Sequence, residues 1–244
     1  MAWGHGGGGR LGTAGTDGAF SGVLGTSSGI PVREITPAPV ALTGDTKRTT
    51  LFKAVACGDY HSLGLTTEGK VFSWGVGFVG QLGVGADEDE GAGATPTSTS
   101  ASALSAAAAA AAAAAPVPIA VGDGVGDSVA AVAASYTTSA CVTVNGKLYT
   151  WGGGSCGKLG HGPPEEEEED GGFFFEDVPV PRRVLGGGFE SRKVVSVACG
   201  DFHTLAVVMG ADVRGGRSVG RSGQELFAWG DNSCGQLGTG DFEQ

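Results

Sequence analysis

The chain has 244 residues, 47 of them glycine, and a formal net charge of −11 at neutral pH. That charge argues against a nucleic-acid partner, because DNA and RNA binding needs a basic face that replaces counterions on phosphate. No membrane contact is expected either, since no apolar run approaches the roughly 20 residues of a membrane helix. Five cysteines, an odd number, and a start without a signal-like segment predict an intracellular protein, cytoplasmic or nuclear.

The first element in chain order is a glycine-rich motif, Trp-Gly-x4-Gly-x-Leu-Gly, which occurs four times. All four tryptophans of the chain belong to it. Only glycine turns sharply against neighbouring backbone without a Cβ penalty, so the glycines predict tight loops, each anchored by one inward leucine. A phosphate-binding loop is the alternative, but it requires a strand-to-helix context that no copy offers. The residues that define the structural repeat are Trp3, Gly4, Leu11, Trp74, Gly75, Leu82, Trp151, Gly152, Leu159, Trp229, Gly230 and Leu237.

A second block lies upstream of each internal tryptophan and predicts a β-hairpin. It reads VACGDYHSLGLTTEGKVFSWG at 55–75, VAASYTTSACVTVNGKLYTWG at 132–152 and VACGDFHTLAVV at 197–208. Apolar and small or polar residues alternate, as in half-buried strands, and dipeptides such as Asn145-Gly146 favour tight turns. Further strands are predicted in PVPIAV at 116–121 and DVPVPRRVL at 177–185. Each interval between tryptophans is therefore expected to contain a four-stranded antiparallel blade.

Three insertions interrupt this pattern. They are an alanine-, serine- and threonine-rich stretch at 86–115, an acidic and phenylalanine-rich stretch at 163–176, and a lengthened hairpin tip at 209–223. Without them the internal intervals shorten to about 45 to 50 residues, the length of a propeller blade. The alanine run is compatible with a short helix or with a linker. The run Phe173 to Phe175 predicts either a docking motif or a strand on a blade edge.

The two blocks together resemble repeats of the regulator of chromosome condensation family, whose pattern is Gly-x-x-His-(Ser/Thr)-Leu, a hairpin, and then the Trp-Gly motif. Copies lie at 3–12, 55–83, 132–160 and 197–238, so the resemblance spans 1–244 apart from the insertions. It implies an all-β fold, a section of about three four-stranded antiparallel blades from a seven-bladed β-propeller. Members of the family include an exchange factor for the small GTPase Ran, ubiquitin-ligase modules and a plant ultraviolet-B receptor. The fold alone does not choose among these functions.

Repeated polar residues are the candidates for chemistry. Asp59 with His61, and Asp201 with His203, have the composition of acid–base dyads, but their recurrence at equal repeat positions favours a role in bracing loops. The middle copy departs from this pattern and carries Tyr136 and Thr138 there. No catalytic, cofactor-binding or metal-binding residues are predicted.

Cysteines and the remaining histidines are interpreted structurally. No Cys-x2-Cys spacing occurs, so a zinc site is not expected. Cys57 and Cys199 are equivalent in the repeat, as are Cys156 and Cys234, and all four are expected to pack as buried thiols between blades. His5 and His161, in glycine-rich loops, are expected at the surface.

The sequence favours a non-catalytic protein-interaction scaffold that uses no cofactor. Its partner is expected to be a protein, with a small GTPase as one candidate. Guanine-nucleotide exchange on a Ran-like GTPase and substrate binding within a ubiquitin ligase are the alternatives. An open section with uncovered blade faces is also expected to self-associate. By the family resemblance, the residues expected to face a partner are Asp59, Tyr60, His61, Asp201, Phe202 and His203.

Overall fold

The computed structural model describes residues 2–5, 33–38, 40, 42, 49–85, 116–122, 127–162, 175–210 and 223–242. Within these ranges the chain forms β-strands and two short 3-10 helices, at Ser155–Gly157 and Gly186–Gly188. The all-β prediction is confirmed. The strands are β1 (Ala2–His5), β2 (Arg33–Ala38), β3 (Phe52–Cys57), β4 (His61–Thr66), β5 (Val71–Gly75), β6 (Val117–Ile119), β7 (Val129–Ser135), β8 (Thr138–Thr143), β9 (Leu148–Gly152), β10 (Val178–Arg183), β11 (Val194–Cys199), β12 (His203–Met209) and β13 (Gln224–Gly230).

The strands pair in sequence order into antiparallel sheets. Strands β3 to β6 form one four-stranded sheet and β7 to β10 a second, while β11 to β13 form a three-stranded sheet and β1 pairs with β2. Each of the three larger sheets is therefore a meander, the architecture of a propeller blade. The strands predicted at 116–121 and 177–185 are present as β6 and β10.

The blade boundaries differ from the prediction. Trp74, Trp151 and Trp229 do end equivalent strands, because each precedes the last residue of β5, β9 or β13. The four strands between Trp74 and Trp151, however, are β6 to β9, which belong to two different sheets. The tryptophan lies in the third strand of a blade, and the fourth strand comes after it, so the sequence repeat straddles the junction between blades.

Hairpin tips connect neighbouring sheets. Gly69, between β4 and β5, has a φ of +83°, and Gly146, between β8 and β9, has a φ of +81°, as tight turns of this kind require. The carbonyl of Gly69 accepts a 2.9 Å hydrogen bond from the amide of Val129, the first residue of the next blade. The carbonyl of Gly146 likewise accepts a 2.9 Å hydrogen bond from the amide of Val194, the first residue of the third sheet. The tip of each complete blade thus fixes the start of the following one.

Apolar side chains fill the two spaces between successive sheets. Between the first and second four-stranded sheets lie Leu65, Tyr149 and Trp151, each at most 1% exposed. Between the second and third sheets lie Val142 and Val208, at most 2% exposed. Burial of side chains of this size stabilises a fold by about 1.5 to 3 kcal/mol each.

The described residues provide no such cover for the outer face of the three-stranded sheet. Leu226 in β13 is 68% exposed, whereas Leu148, at the same place in β9, is 1% exposed. Self-association through this face stays a prediction. Of the expected insertions, 86–115 lies outside the described residues, as do 163–174 and 211–222, which make up most of the other two.

Candidate functional site

The Trp-Gly motif works as a hydrogen-bonded latch between neighbouring blades. The indole Nε1 of Trp151 donates to the carbonyl oxygen of Gln81 in the preceding blade at 3.0 Å, and the Ser139 hydroxyl donates to the same oxygen at 2.8 Å. The next junction repeats this arrangement on the carbonyl of Lys158. Its donors are Trp229 Nε1 at 2.9 Å and Thr204 Oγ1 at 2.8 Å.

The last glycine and the leucine of the motif also have structural roles. A Cβ on Gly83 would lie 2.7 Å from the indole nitrogen of Trp151, and Gly83 has a φ of +73°. Leu82 and Leu159 are each 3% exposed, which confirms the inward leucine in these two copies, whereas Leu237 in the last copy is half-buried. The motif therefore serves the fold, as the sequence predicted.

The two kinds of loop in each repeat meet at one end of the sheets. The loop that follows the first strand of a blade contains Tyr60, and its carbonyl accepts from the amide of Val76, just after the Trp-Gly pair, at 2.8 Å. Thr137 accepts from Gly153 at 3.0 Å and Phe202 from Asp231 at 2.9 Å in the same way. We call this end of the described sheets the loop face; it comprises residues 58–60, 76–85, 136–137, 153–162, 175–177, 200–202 and 231–242.

A line of aromatic rings crosses the loop face from blade to blade. Tyr60 contacts Phe78 edge to face, with ring centroids 6.4 Å apart, and Tyr136 likewise at 5.6 Å. Tyr136 then contacts Phe202, whose centroid is 6.2 Å away. Such spacings are those of favourable aromatic pairs. We call these four side chains the aromatic ridge; Phe78 is 58% exposed and Phe202 is 46% exposed.

A lysine lies beneath the ridge. Lys158 is 1% exposed, and its ammonium lies 5.9 Å from the centre of the Tyr136 ring and 5.7 Å from that of Phe202. It donates to the carbonyl oxygen of Asp201 at 3.0 Å and to Thr137 Oγ1 at 3.4 Å. Burial lowers the pKa of Lys158. The ammonium therefore joins the second and third blades below the rings.

His61 is placed differently from the other residues expected to face a partner. It is completely buried, and its Nε2 lies 2.7 Å from the Ser139 hydroxyl of the next blade. Burial lowers its pKa to about 4, so the ring is neutral at pH 7. The prediction that His61 faces a partner is wrong, because the side chain has no exposed surface and its ring packs against Gly58 and the Ser139 hydroxyl. The bracing role is the one that fits its contacts.

The other expected residues lie on or beside the loop face. Asp59, Asp201 and Phe202 are exposed, whereas Tyr60 and His203 are half-buried. Asp201 also accepts a 2.6 Å hydrogen bond from Ser135 Oγ of the middle blade. The sequence reasoning missed Phe78, Tyr136 and Lys158 as part of this surface. The signal available for Tyr136 is an aromatic residue in the middle loop, at the position where the other two copies carry aspartate.

Charge is distributed unevenly between the two ends of the sheets. Among the described residues of the loop face, Lys158 is the one lysine or arginine, and it is buried. Six carboxylates share that face: Asp59, Glu176, Asp177, Asp201, Asp231 and Asp241. The opposite end carries basic side chains, and these form ion pairs such as Lys70 with Glu68 at 3.0 Å and Lys147 with Asp127 at 2.8 Å.

Some of the cysteines and His161 depart from expectation. Cys57 and Cys234 are exposed, so the prediction of buried thiols between blades is wrong for these two, and Cys156 is only partly buried. The Cys199 thiol fits the prediction, since burial raises its pKa to about 12. The repeat places Cys57 at the end of an edge strand, where one side is open. His161 was expected at the surface but is half-buried, with Nε2 3.1 Å from Thr150 Oγ1.

Two further findings concern the described part of the chain only. Its His, Cys, Asp and Glu side chains form no group of three suited to a metal ion. Its helical segments lack the length and apolar character that a membrane crossing requires.

Comparison with known protein families identifies the family of this chain. The model of the Regulator of chromosome condensation (RCC1) repeat matches residues 68–142 and 145–207, and a second model of that repeat matches 52–81. The chain belongs to the RCC1 repeat family. The matched segment 68–142 begins at the hairpin tip before β5 and ends in β8 of the next sheet, so the family repeat crosses a blade junction as the Trp-Gly motif does.

Individual RCC1 relatives differ widely in length. The chain is 32% identical over 207 residues to the E3 ubiquitin-protein ligase HERC2 of Homo sapiens, covering 84% of the chain and 3% of that protein. It is 33% identical over 243 residues to the ultraviolet-B receptor UVR8 of Arabidopsis thaliana, covering 99% of the chain and 39% of the receptor. The chain thus spans well under half of either relative.

A solved structure supports the fold. Prp20p from Saccharomyces cerevisiae aligns with a TM-score of 0.51 and 23% sequence identity, covering 79% of this chain and 36% of that one. That structure was described together with binding of Prp20p to Gsp1p and histones. At this level of identity the likeness shows the shared propeller fold.

Proposed function

We propose that this RCC1-repeat section is a non-catalytic scaffold that binds a protein partner through its loop face. The aromatic ridge is the observation that carries the proposal. It runs across three successive sheets, and two of its four rings are about half exposed. Exposed aromatic side chains held rigidly by neighbours are typical anchors of protein–protein interfaces.

The latch and the buried histidine support a binding role by keeping this face rigid. Each junction places an indole, a hydroxyl and a carbonyl in fixed contact directly behind the loops. A preorganised surface loses little entropy on association. His61 belongs to this support, and its burial keeps it out of reach of any substrate.

Two alternatives come from the relatives. HERC2 is named as an E3 ubiquitin-protein ligase, but this chain matches only 3% of its length. A role as a substrate-binding module would therefore need a catalytic domain outside this chain. Exchange on a Ran-like GTPase is suggested by the Gsp1p binding of Prp20p. The loop face offers Asp59 and Asp201 in equivalent positions, whereas the middle copy presents Tyr136 there.

Release of a fluorescent guanine nucleotide from a Ran-like GTPase separates scaffold from exchange factor. We expect the chain to leave the spontaneous release rate unchanged. Acceleration well above that rate, lost in Asp59→Lys and Asp201→Lys but kept in Glu68→Lys at the opposite end, would overturn the proposal. The Glu68 variant makes the same charge change on an exposed side chain away from the loop face.

A further inference from the structure

We propose that the partner of the loop face is a basic segment, rich in arginine or lysine, that lies along the aromatic ridge between the carboxylates. This rests on the proposed function and names the chemistry of the partner. Three features carry it: the rings, the one-sided charge and the engagement of Lys158 beneath the rings.

The rings supply a surface that attracts cations. Aromatic faces carry a partial negative charge, and a guanidinium or ammonium within about 6 Å of a ring centre is favoured. Lys158 already uses the inner side of Tyr136 and Phe202 in this way, at 5.9 Å and 5.7 Å. The exposed fractions of Phe202 and Phe78, 46% and 58%, leave ring surface for cations that approach from solvent.

The charges favour the same occupant. Asp59 and Asp201 are exposed and lie next to ridge residues in the chain, since Tyr60 follows the first and Phe202 the second. Glu176 and Asp177 add two exposed carboxylates to the face. The described residues of the loop face include no exposed lysine or arginine. An acidic patch of this kind steers positively charged partners and repels acidic ones.

Lys158 offsets only part of this field, because it is one enclosed cation, attracted to Asp201 and Asp177, among six carboxylates. Its ammonium is enclosed, donating to the Asp201 carbonyl and to Thr137 Oγ1. The Asp201 carboxylate, by contrast, is held at the surface by Ser135 Oγ at 2.6 Å. The cation therefore braces the ridge from below, and the carboxylates face outward from the same loops.

Fluorescence anisotropy with short labelled peptides tests the proposal. The probes are a peptide with four arginines spaced by glycine and serine, the same peptide with glutamates, and an uncharged version with leucines. We expect the arginine peptide to bind, and to bind more weakly as salt rises, because exposed charges are screened. The glutamate peptide should not bind. Equal binding of the leucine peptide would overturn the basic-segment proposal in favour of an apolar partner.

Matched variants locate the binding. Asp59→Lys and, separately, Asp201→Lys should each weaken the arginine peptide several-fold, as should Phe202→Ala, with cooperative thermal unfolding retained in each variant. Glu68→Lys is the control and should have no effect. Equal weakening by Glu68→Lys would show a general effect of net charge and would contradict the proposal. Undiminished binding of the arginine peptide by Phe202→Ala would contradict it as well. These outcomes leave the nucleotide-release result untouched, so the inference can fail while the scaffold role stands.

Discussion

The two blade junctions share the same hydrogen-bonded latch but differ in the side chains that surround it. At the first junction, His61 reaches from β4 to Ser139, whose own proton goes to the Gln81 carbonyl. The histidine therefore donates through Nε2–H, and its pKa of about 4 keeps the ring neutral at pH 7. At the second junction the position of His61 is taken by Thr138, whose short hydroxyl has no hydrogen-bond partner.

The second junction compensates with a charged residue. Lys158 occupies the place of Gln81 and sends its ammonium to the third blade, where it lies 5.9 Å from the ring centre of Tyr136 and 5.7 Å from that of Phe202. Its backbone carbonyl still receives the latch from Trp229. The repeat thus conserves the backbone latch within this chain and varies the side chains around it, so that the first junction is a buried neutral contact and the second supports the exposed ridge.

The largest expected effect comes from removing the latch itself. Trp151→Ala should lower the free energy of unfolding by about 3 to 5 kcal/mol, because it empties a fully buried site and leaves the first junction without its indole donor. Trp229→Ala should cost clearly less, since Trp229 is half-buried. Chemical denaturation measures both. Equal losses would show that the two junctions contribute equally despite their different burial.

Acid should weaken the first junction through His61. Its pKa is about 4 in the folded chain and about 6.5 when unfolded, so the unfolded chain binds the proton more readily. The stability that depends on neutral His61 is fully present above pH 6.5 and is lost as the pH falls from 6.5 toward 4. By linkage the loss at pH 4 is about 3 kcal/mol.

The variant His61→Gln isolates this contribution. Glutamine does not titrate, so the variant should be less stable than the parent at pH 7 but should lose less on acidification. His161, whose pKa burial also lowers to about 4, remains in both proteins and cancels in the difference. Urea unfolding at pH 7, 5.5 and 4.5 gives the slopes. Parallel pH profiles for parent and variant would show that His61 does not set the acid sensitivity.

The fold was predictable from the sequence because its signals are local and repeated. Alternation in SLGLT and KVFSW, a turn at Glu68-Gly69 and the recurring Trp-Gly pair each specify a strand or turn within a few residues. The blade boundary was not predictable in this way. Which sheet β6 joins depends on pairing across the insertion at 86–115, and strand pairing at such separations leaves no local pattern.

The loop face shows why site residues are harder to predict. His61 and Asp59 lie two residues apart and were treated alike, yet one is buried and the other exposed, because the next blade covers only the histidine. Tyr136 occupies the Asp59 position of a divergent copy. It becomes part of the aromatic ridge only because the fold places Tyr60 and Phe202 on either side of it. Such neighbours are 66 to 76 residues away in the chain.

The smallest expected effect on stability comes from making the second junction resemble the first. In Lys158→Gln, the new amide oxygen should accept from the amide of Cys156, as Gln81 Oε1 does from Val79 at 3.0 Å and Gln236 Oε1 from Cys234 at 2.8 Å. It would replace an ammonium whose burial already disfavours its charge. We expect the free energy of unfolding to change by no more than about 1 kcal/mol.

The same variant should act on the ridge far more than on the fold. Without the ammonium, Tyr136 and Phe202 lose the cation that lies near both rings, and the hydrogen bond from Lys158 to the Asp201 carbonyl is lost as well. The ring resonances of Phe202 should therefore shift and broaden in NMR spectra, whereas those of Phe72 in the first blade, which packs against Phe52 at 5.8 Å, should stay in place. A large loss of stability with unchanged Phe202 resonances would contradict this expectation. It would show that Lys158 stabilises the junction and not the exposed ridge, so that the two junctions would not differ in the way described here.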